Sequence, residues 1–462
     1  MPGKNTNFYH ALKIDPAVCV GCTHCVIDCP TGALRIREGK AVLCHPNWCV
    51  DCGECLKVCP VSAISVQQND FDRIFDFRCR VALVPALFFG QFPETNSEQD
   101  IFAALFELGF THIYEVESVV GPVREQMALD IAAAEDKPAI SSYCPAIVRL
   151  IQIRFPDLVD NILHVKPPIE AAALLYRDQL RKEGYSDGEI GMFYVTPCAA
   201  KIASLKTGKE YTSLIDGVLN MDFMYNRVSH ILHNRQEDLP QHYGKSVPTL
   251  SCAEMSWSLT AGEADGFEGR CFAVDEIHNV TEFIERMEMT GELDTIDFLE
   301  LRACDRGCVG GALTPANRFL AAERLHKRSL AHPQETELYE NIDPDCLDKL
   351  KKDIHNEKFP PMAKLLYEGG MVEVLRKMDR AKQLAGYLPG IDCGACGSPG
   401  CQSLAEDIVR GEAAFSNCVF MQREMIRRGK MTSEKGVGIL NNVWGKDRLK
   451  LTLNKENDNE TE

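Results

Sequence analysis

The stretch FLELRACDRGCVGGALTP, running from Phe298 to Pro315, decides how the rest of the chain is read. A strand-like start delivers Cys304 and Cys308, and Gly310, Gly311 and Ala312 follow almost at once. Thiolates that share a metal cluster must converge, and small residues let the backbone approach something bulky. Two earlier segments are natural partners: SSYCPAIVRL, with Cys144 before Pro145, and VTPCAAKIAS, with Cys198 after Pro197 and Lys201 close behind. Both adjoin apolar, strand-like runs, so their cysteines fall at strand ends, where loops gather. Four thiolates from three segments would complete a cysteine-held iron–sulfur cluster. The plain alternative is ordinary buried cysteines.

With 462 residues, about two to four domains are expected. The apolar fraction of 45% and charged fraction of 25% are those of a soluble globular protein. No apolar run approaches the roughly 20 residues of a membrane span. The net charge of -17 argues against nucleic acid and anionic membranes, which need clustered Lys and Arg. The opening MPGKNTNFYHALKID has neither the basic segment nor the apolar core of an export signal. In that context 21 cysteines indicate metal binding rather than disulfides, and the cytoplasm of an anaerobe as the expected address.

Two near-identical runs open the chain, CVGCTHCVIDCP at 19–30 and CVDCGECLKVCP at 49–60. Each is C-x2-C-x2-C-x3-C-P, the bacterial pattern for two cubane clusters in which the fourth cysteine serves the other cluster. One [4Fe-4S] cluster then takes Cys19, Cys22, Cys25 and Cys59, and the second takes Cys49, Cys52, Cys55 and Cys29. Pro30 and Pro60 turn the chain, and TGALRIREGKAVL and VSAISV supply short strands. Zinc is the competing metal.

From Asp76 the texture changes to strands alternating with amphipathic helices: RVALVPALFFG, SEQDIFAALFELGF, HIYEVES, VREQMALDIAAAEDK, IEAAALLYRDQLRKEG and IGMFYVTPCAAK. That alternation predicts α/β architecture, parallel sheets flanked by helices, with ligands at the carboxyl ends of the strands. The stretch from Thr249 to Arg302 is less legible, and 313–390 reads as helical. Further on, IDCGACGSPGCQSLAEDIVRGEAAFSNCVF carries Cys393, Cys396, Cys401 and Cys418, a set able to clasp one more [4Fe-4S] cluster or a zinc ion. The expected domains are 1–75, two-cluster and ferredoxin-like; 76–388, holding the central motifs; 389–425, a small iron–sulfur domain; and 426–462, a polar, partly disordered tail. Cys44, Cys79, Cys252, Cys271 and Cys346 are expected as core residues, with His45 beside Cys44 a weak ligand pair. His24 is expected to face solvent.

The three central segments, SSYCP, TPCAAK and ELRACDRGCVGGA, resemble the TSCCP, MPCxxK and ExMACxxGCxxGGG signatures of [FeFe]-hydrogenases. The C-terminal set is similar to the small four-iron domain of corrinoid iron–sulfur proteins and some hydrogenase relatives. Over roughly residues 10–420 the resemblance implies an H-cluster, a [4Fe-4S] cubane bridged to a two-iron centre with CO, CN and dithiolate ligands. It implies cubane ligands at Cys144, Cys198, Cys304 and Cys308, with Cys308 as the bridge and Lys201 holding a cyanide. The implied activity is interconversion of H2 with protons and electrons. The implied partners are a ferredoxin-type carrier or a separate signalling protein, and the hydrogenase maturation machinery.

The departures matter as much. Efficient members place a proton-relaying cysteine where this chain has Tyr143, whose unperturbed pKa of about 10 exceeds the roughly 8.5 of a thiol. The signature methionines are replaced by Thr196 and Arg302, and the third glycine by Ala312. Arg302 puts a fixed charge beside the cluster or points away from it. Glu125 is a candidate for a proton path, against the plainer reading of a solvated helical charge. The cluster-holding residues are kept and the tuning residues changed, which resembles the family's sensory branch and implies slow turnover used for H2 or redox sensing. A metabolic ferredoxin-linked hydrogenase and an electron-transfer or cluster-assembly protein without the two-iron centre are the alternatives.

Overall fold

Strand β1 (Leu12–Ile14), the hairpin of β2 (Leu34–Arg37) and β3 (Lys40–Leu43), and β4 (Ile64–Val66) frame the duplicated cysteine runs. Glu38 and Gly39, both at positive φ, turn the hairpin. The computed structural model describes residues 8–207, 214–234, 250–333, 343–362 and 371–446. Contacts divide the chain into two units. One comprises Met1–Leu12, Val50–Gly53 and Val66–Ala363; the other comprises Lys13–Cys49, Glu54–Ser65 and Lys364–Glu462. The segment Lys13–Cys49, which holds the first cysteine run, and the C-terminal segment, separate in the linear reading, thus share one unit.

The larger unit is α/β. Strands β5 (Cys79–Val84), β6 (His112–Glu115), β8 (Ile190–Thr196) and β9 (Gly217–Asn220) form a wholly parallel sheet in the order β6-β5-β8-β9. A second parallel sheet has the order β10-β11-β7, from β7 (Ala139–Ile140), β10 (Cys271–Val274) and β11 (Phe298–Leu301). Strands β8 and β9 are buried along their whole length, as sheets covered on both faces require. The helices between them start where the sequence supplies caps. Ser97 and Asp100 form a capping box on Glu98–Glu107, and Pro145 and Pro168 occupy first turns. Both sheets point their carboxyl ends at the cysteine segments: β8 ends at Thr196, β7 leads to Cys144 and β11 to Cys304. The Cys144 strand is shorter than SSYCP suggests. It stops at Ile140, and Cys144 itself caps the helix Pro145–Arg154.

In the smaller unit the C-terminal segment is fastened to the β2–β3 hairpin. The Ile36 N–H donates to Gly397 O at 2.8 Å, Glu38 N–H to Asn442 O at 3.0 Å and Gly39 N–H to Val443 O at 2.8 Å. Beneath these bonds Arg35, fully buried, grips the equally buried Asp407 through Nε at 2.7 Å and Nη2 at 2.8 Å. Ser398 and Arg410 donate to the same carboxylate. The stretch expected as a tail from 426 contains an ordered helix, Ser433–Trp444. Apolar Val443 is buried there and the Trp444 indole N–H donates to Ala395 O at 2.9 Å, which anchors it despite its polar neighbours. Residues 447–462 of that expected tail lie outside the described residues.

Burial alone would raise the Asp407 pKa, but His45, Arg35 and Arg410 bring it well below the usual carboxylate range. The His45 ring, stacked on Trp48, stands 3.8 Å from the same carboxylate. A depressed folded pKa gives stability that is complete once unfolded aspartate is ionised, above about pH 4–5, and is lost as pH falls toward the folded value. Asp407→Asn, which leaves Arg35 buried and uncompensated, is expected to cost about 3–5 kcal/mol at pH 7 and to flatten the acid limb. Thermal unfolding at pH 7 and pH 3 reads both; an unchanged acid limb would refute the assignment.

Candidate metal centre

The parallel strands bring Cys144, Cys198, Cys304 and Cys308 to the wall of one small cavity, together with Lys201 and Arg302. Cys52, from the second ferredoxin-type run, lines it too. The backbone closes in through glycines. Gly307, at φ +75°, has Ser258 O where a Cβ would stand, at 2.5 Å, and Gly311 has Pro197 O at 2.5 Å. The Cys308 N–H donates to Ser258 O at 2.9 Å, holding the two loops together. At Gly53, with φ +88°, a Cβ would come within 2.5 Å of the Ala312 methyl, so the alanine that departs from the triple-glycine signature packs on the loop just after Cys52.

Charge around these sulfurs is organised by Arg302, which is buried and points at them. Its Nη1 lies 3.8 Å from Cys308 Sγ, and its Nη2 donates to Trp257 O at 2.9 Å. Two buried carboxylates compensate it: Glu263 at 2.7 Å from Nη2 and Glu300 at 3.0 Å from Nε. Glu300 also accepts the N–H groups of Ala261, Glu263 and Ala264. Glu263 accepts the Ser141 hydroxyl at 2.6 Å, and Ser141 Oγ accepts the Tyr143 N–H at 3.1 Å. Burial pushes Glu263 up to about 7 against the pull of Arg302.

Tyr143 is held between two cations. The Lys201 Nζ stands 4.2 Å from its ring centroid and the Arg302 Cζ 4.1 Å. Burial raises its phenol well above the ordinary value, with Cys308 adding to the effect. Burial likewise pushes Cys198 up to about 12, and raises Cys144 with the help of Cys308. Buried thiols such as Cys144 and Cys198 stay protonated unless a metal takes their charge. The cavity wall offers thiols, two cations and no carboxylate or imidazole, a donor set that fits an iron–sulfur cluster and its negative charge. Buried Tyr194 Oη and Ser258 Oγ have no hydrogen-bond partner among the described residues, and Tyr194 is an electrostatic neighbour of Lys201 and Cys198. Unsatisfied buried hydroxyls beside such a site fit a polar group bound there.

Elsewhere, Cys19, Cys22, Cys25 and Cys59 line a second small cavity, and burial with the neighbouring sulfurs pushes Cys25 up to about 12. Of the other expected ferredoxin-type set, Cys29, Cys49 and Cys55 lie in the smaller unit and Cys52 in the larger. Cys396 and Cys418 are buried in one apolar cluster with Cys401 against it, while Cys393 is exposed. Glu125 pairs with Lys351 at the surface, 3.0 Å away, so it is a solvated charge. Thr196 shapes the turn, its Oγ donating to Cys198 O at 3.2 Å. Cys79 and Cys346 are core residues, Cys44, Cys252 and Cys271 are partly buried, and His24 is exposed. His45 meets Asp407 and Glu412 rather than forming a pair with Cys44.

The sequence reading missed Glu263, Ser141 and Glu300. One signal was present: in FLELRAC, Glu300 and Arg302 are two apart on a strand and share a face.

Residues 79–226 match the family described as iron only hydrogenase large subunit, C-terminal domain. Residues 18–63 match the 4Fe-4S dicluster domain and 388–420 the putative Fe-S cluster family. The chain is similar to an [FeFe]-hydrogenase structure titled for HydA(deltaEFG), with 16% identity over 61% of this chain and 94% of that one and a TM-score of 0.46. It is also similar to HydA1 of Chlamydomonas reinhardtii, with 15% identity over 63% and 98% and a TM-score of 0.47. Among curated proteins, a component of the ion-translocating oxidoreductase complex of Rhodobacter capsulatus is 49% identical over 37 residues, 8% of this chain. The match spans 20% of that protein's length. The chain carries iron–sulfur domains at both ends and a hydrogenase-type α/β domain between them. No helix among the described residues is long and apolar enough to cross a membrane.

Proposed function

We propose that this chain is an [FeFe]-hydrogenase that interconverts H2 with protons and electrons slowly, in the service of H2 or redox sensing. The observation that carries the reading is one cavity walled by Cys144, Cys198, Cys304, Cys308 and the buried Lys201. A buried lysine ammonium there offers donors to a ligand beyond the cubane sulfurs themselves. The four cysteines would hold the cubane, with Cys308 as the ligand shared with the two-iron centre, and Lys201 would hold a cyanide ligand. When bound, such a cluster supplies an open iron at which H2 is split heterolytically. Arg302 fixes positive charge against Cys308, and Tyr143 fills the place of a relaying thiol with a group that holds its proton too firmly at neutral pH. Electrons leave through the ferredoxin-like region, 1–75, with 76–388 as the hydrogenase domain and 389–425 as a further cluster domain. A ferredoxin-type carrier or a separate signalling protein receives them in a reducing cytoplasm, and maturation machinery installs the two-iron centre.

The test is an infrared spectrum of anaerobically purified protein matured with the two-iron precursor, with and without H2. Carbon monoxide and cyanide stretches that shift under H2 are expected. Their absence in protein with full cubanes would overturn the reading in favour of electron transfer or cluster assembly.

A further inference from the structure

We propose that the C-terminal cysteine loop holds a cluster that exchanges single electrons directly with the ferredoxin-like clusters, as the outer terminal of the relay. This rests on reading these cysteines as cluster ligands.

The two cysteine segments pack against each other. Gly394, between Cys393 and Cys396, faces Ile27, between Cys25 and Cys29; a Cβ on that glycine would lie 3.8 Å from Ile27 Cδ1. Gly32, just after the first cysteine run, faces Pro399 at 3.7 Å and Ser403 at 3.9 Å, the residues that flank Cys401. Gly397, beside Cys396, leaves no room for a side chain against Ile36 O, which would stand 2.7 Å away.

The docking is rigid. Three backbone hydrogen bonds run from β2 and its turn to Gly397, Asn442 and Val443, over the buried Arg35–Asp407 pair. A segment attached by three backbone hydrogen bonds and a buried bidentate ion pair does not swing, so the separation of the two cluster sites is fixed. The loop is also polarised. Cys393 is exposed, whereas Cys396 and Cys418 are buried. One edge of the site thus meets solvent, where a soluble carrier docks, and the other faces the ferredoxin-like module.

The step is an outer-sphere transfer with no bond made or broken. A reduced one-electron iron–sulfur or flavin carrier gives one electron to the oxidised C-terminal cluster, which passes it to an oxidised ferredoxin-like cluster. The carrier is oxidised by one electron and that cluster reduced by one. Under H2 the same electron runs outward.

The test is electron paramagnetic resonance of the anaerobic full-length protein, reduced stepwise, with iron and zinc analysis. In the unaltered protein, ferredoxin-like signals are expected to broaden and relax severalfold faster as the C-terminal cluster is reduced. In Cys401→Ala the iron of one cluster is lost and the fast relaxation disappears. Ferredoxin-like signals that ignore the redox state of a loaded C-terminal cluster in the unaltered protein would overturn the proposal, a result that needs no variant. Zinc instead of iron in that loop would overturn it too. Neither outcome depends on the two-iron centre, so failure here is distinct from failure of the infrared test.

Discussion

Replacing Arg302 with methionine is expected to lower the midpoint potential of the cluster proposed to bind through Cys308 and to destabilise the larger unit by about 3–5 kcal/mol. The guanidinium is the positive member of a buried cluster with Glu263 and Glu300, and its Nη1 faces the sulfur. Removing it leaves two carboxylates facing each other out of water, and takes away a charge that favours the reduced cluster. The pH dependence has a definite sign. Burial already raises Glu263 to about 7, so the folded chain binds more protons than the unfolded one between that value and the unfolded glutamate pKa. Losing Arg302 raises the folded value further, and the stability lost grows as pH rises. The variant should therefore be closer to the unaltered protein at pH 5 than at pH 8, and Glu263→Gln added to it should restore part of the loss at pH 8. Redox titration of the holoprotein and thermal unfolding at the two pH values measure these effects. An unchanged potential together with a pH-independent loss would show that Arg302 acts as packing alone.

What was legible in the sequence, and what was not, follows from the range of the interactions. The cysteine runs at 19–30 and 49–60 declare themselves because cluster geometry fixes ligand spacing locally, and the central cysteines because prolines and glycines mark their loops. The helices Glu98–Glu107 and Pro168–Lys182 carry caps and an apolar face in their own residues. Arg302 could be read as facing the cluster or turning away from it, because Glu263, the partner that decides the matter, comes from another segment. The ordered helix Ser433–Trp444 reads as tail for the same reason: its anchors are Glu38, Gly39 and Ala395. Likewise, nothing near IDCGACGSPGC indicates that Gly397 pairs with Ile36. Such pairings are set by tertiary contact, and local pattern carries no trace of them.

Tyr143→Cys is expected to raise H2 turnover by about 100-fold, the lower end of what a positioned proton donor contributes. The phenol is a poor relay here because burial, reinforced by Cys308, holds its pKa well above 10. In the same surroundings a thiol, whose unperturbed pKa of about 8.5 lies below the roughly 10 of a phenol, gives up its proton more readily. The change also has a structural cost. The ring lies between Lys201 and Arg302, and two such cation–π contacts are worth about 1–2 kcal/mol each when desolvated. Truncating a buried aromatic adds a cavity, so the variant should unfold at a lower temperature while turning over faster. That opposition separates a proton-transfer effect from general repair of the site, which would move both quantities together. Tyr143→Phe is the control: it keeps the ring between the cations and removes only the hydroxyl. If the phenol relays no protons, its turnover should match the unaltered protein, and its pH profile should be the same. A Cys variant with a full cluster and no gain would mean that another group already delivers protons. Ser141 and Glu263 are then the groups to test, since they form the hydrogen-bonded chain that reaches the Tyr143 backbone.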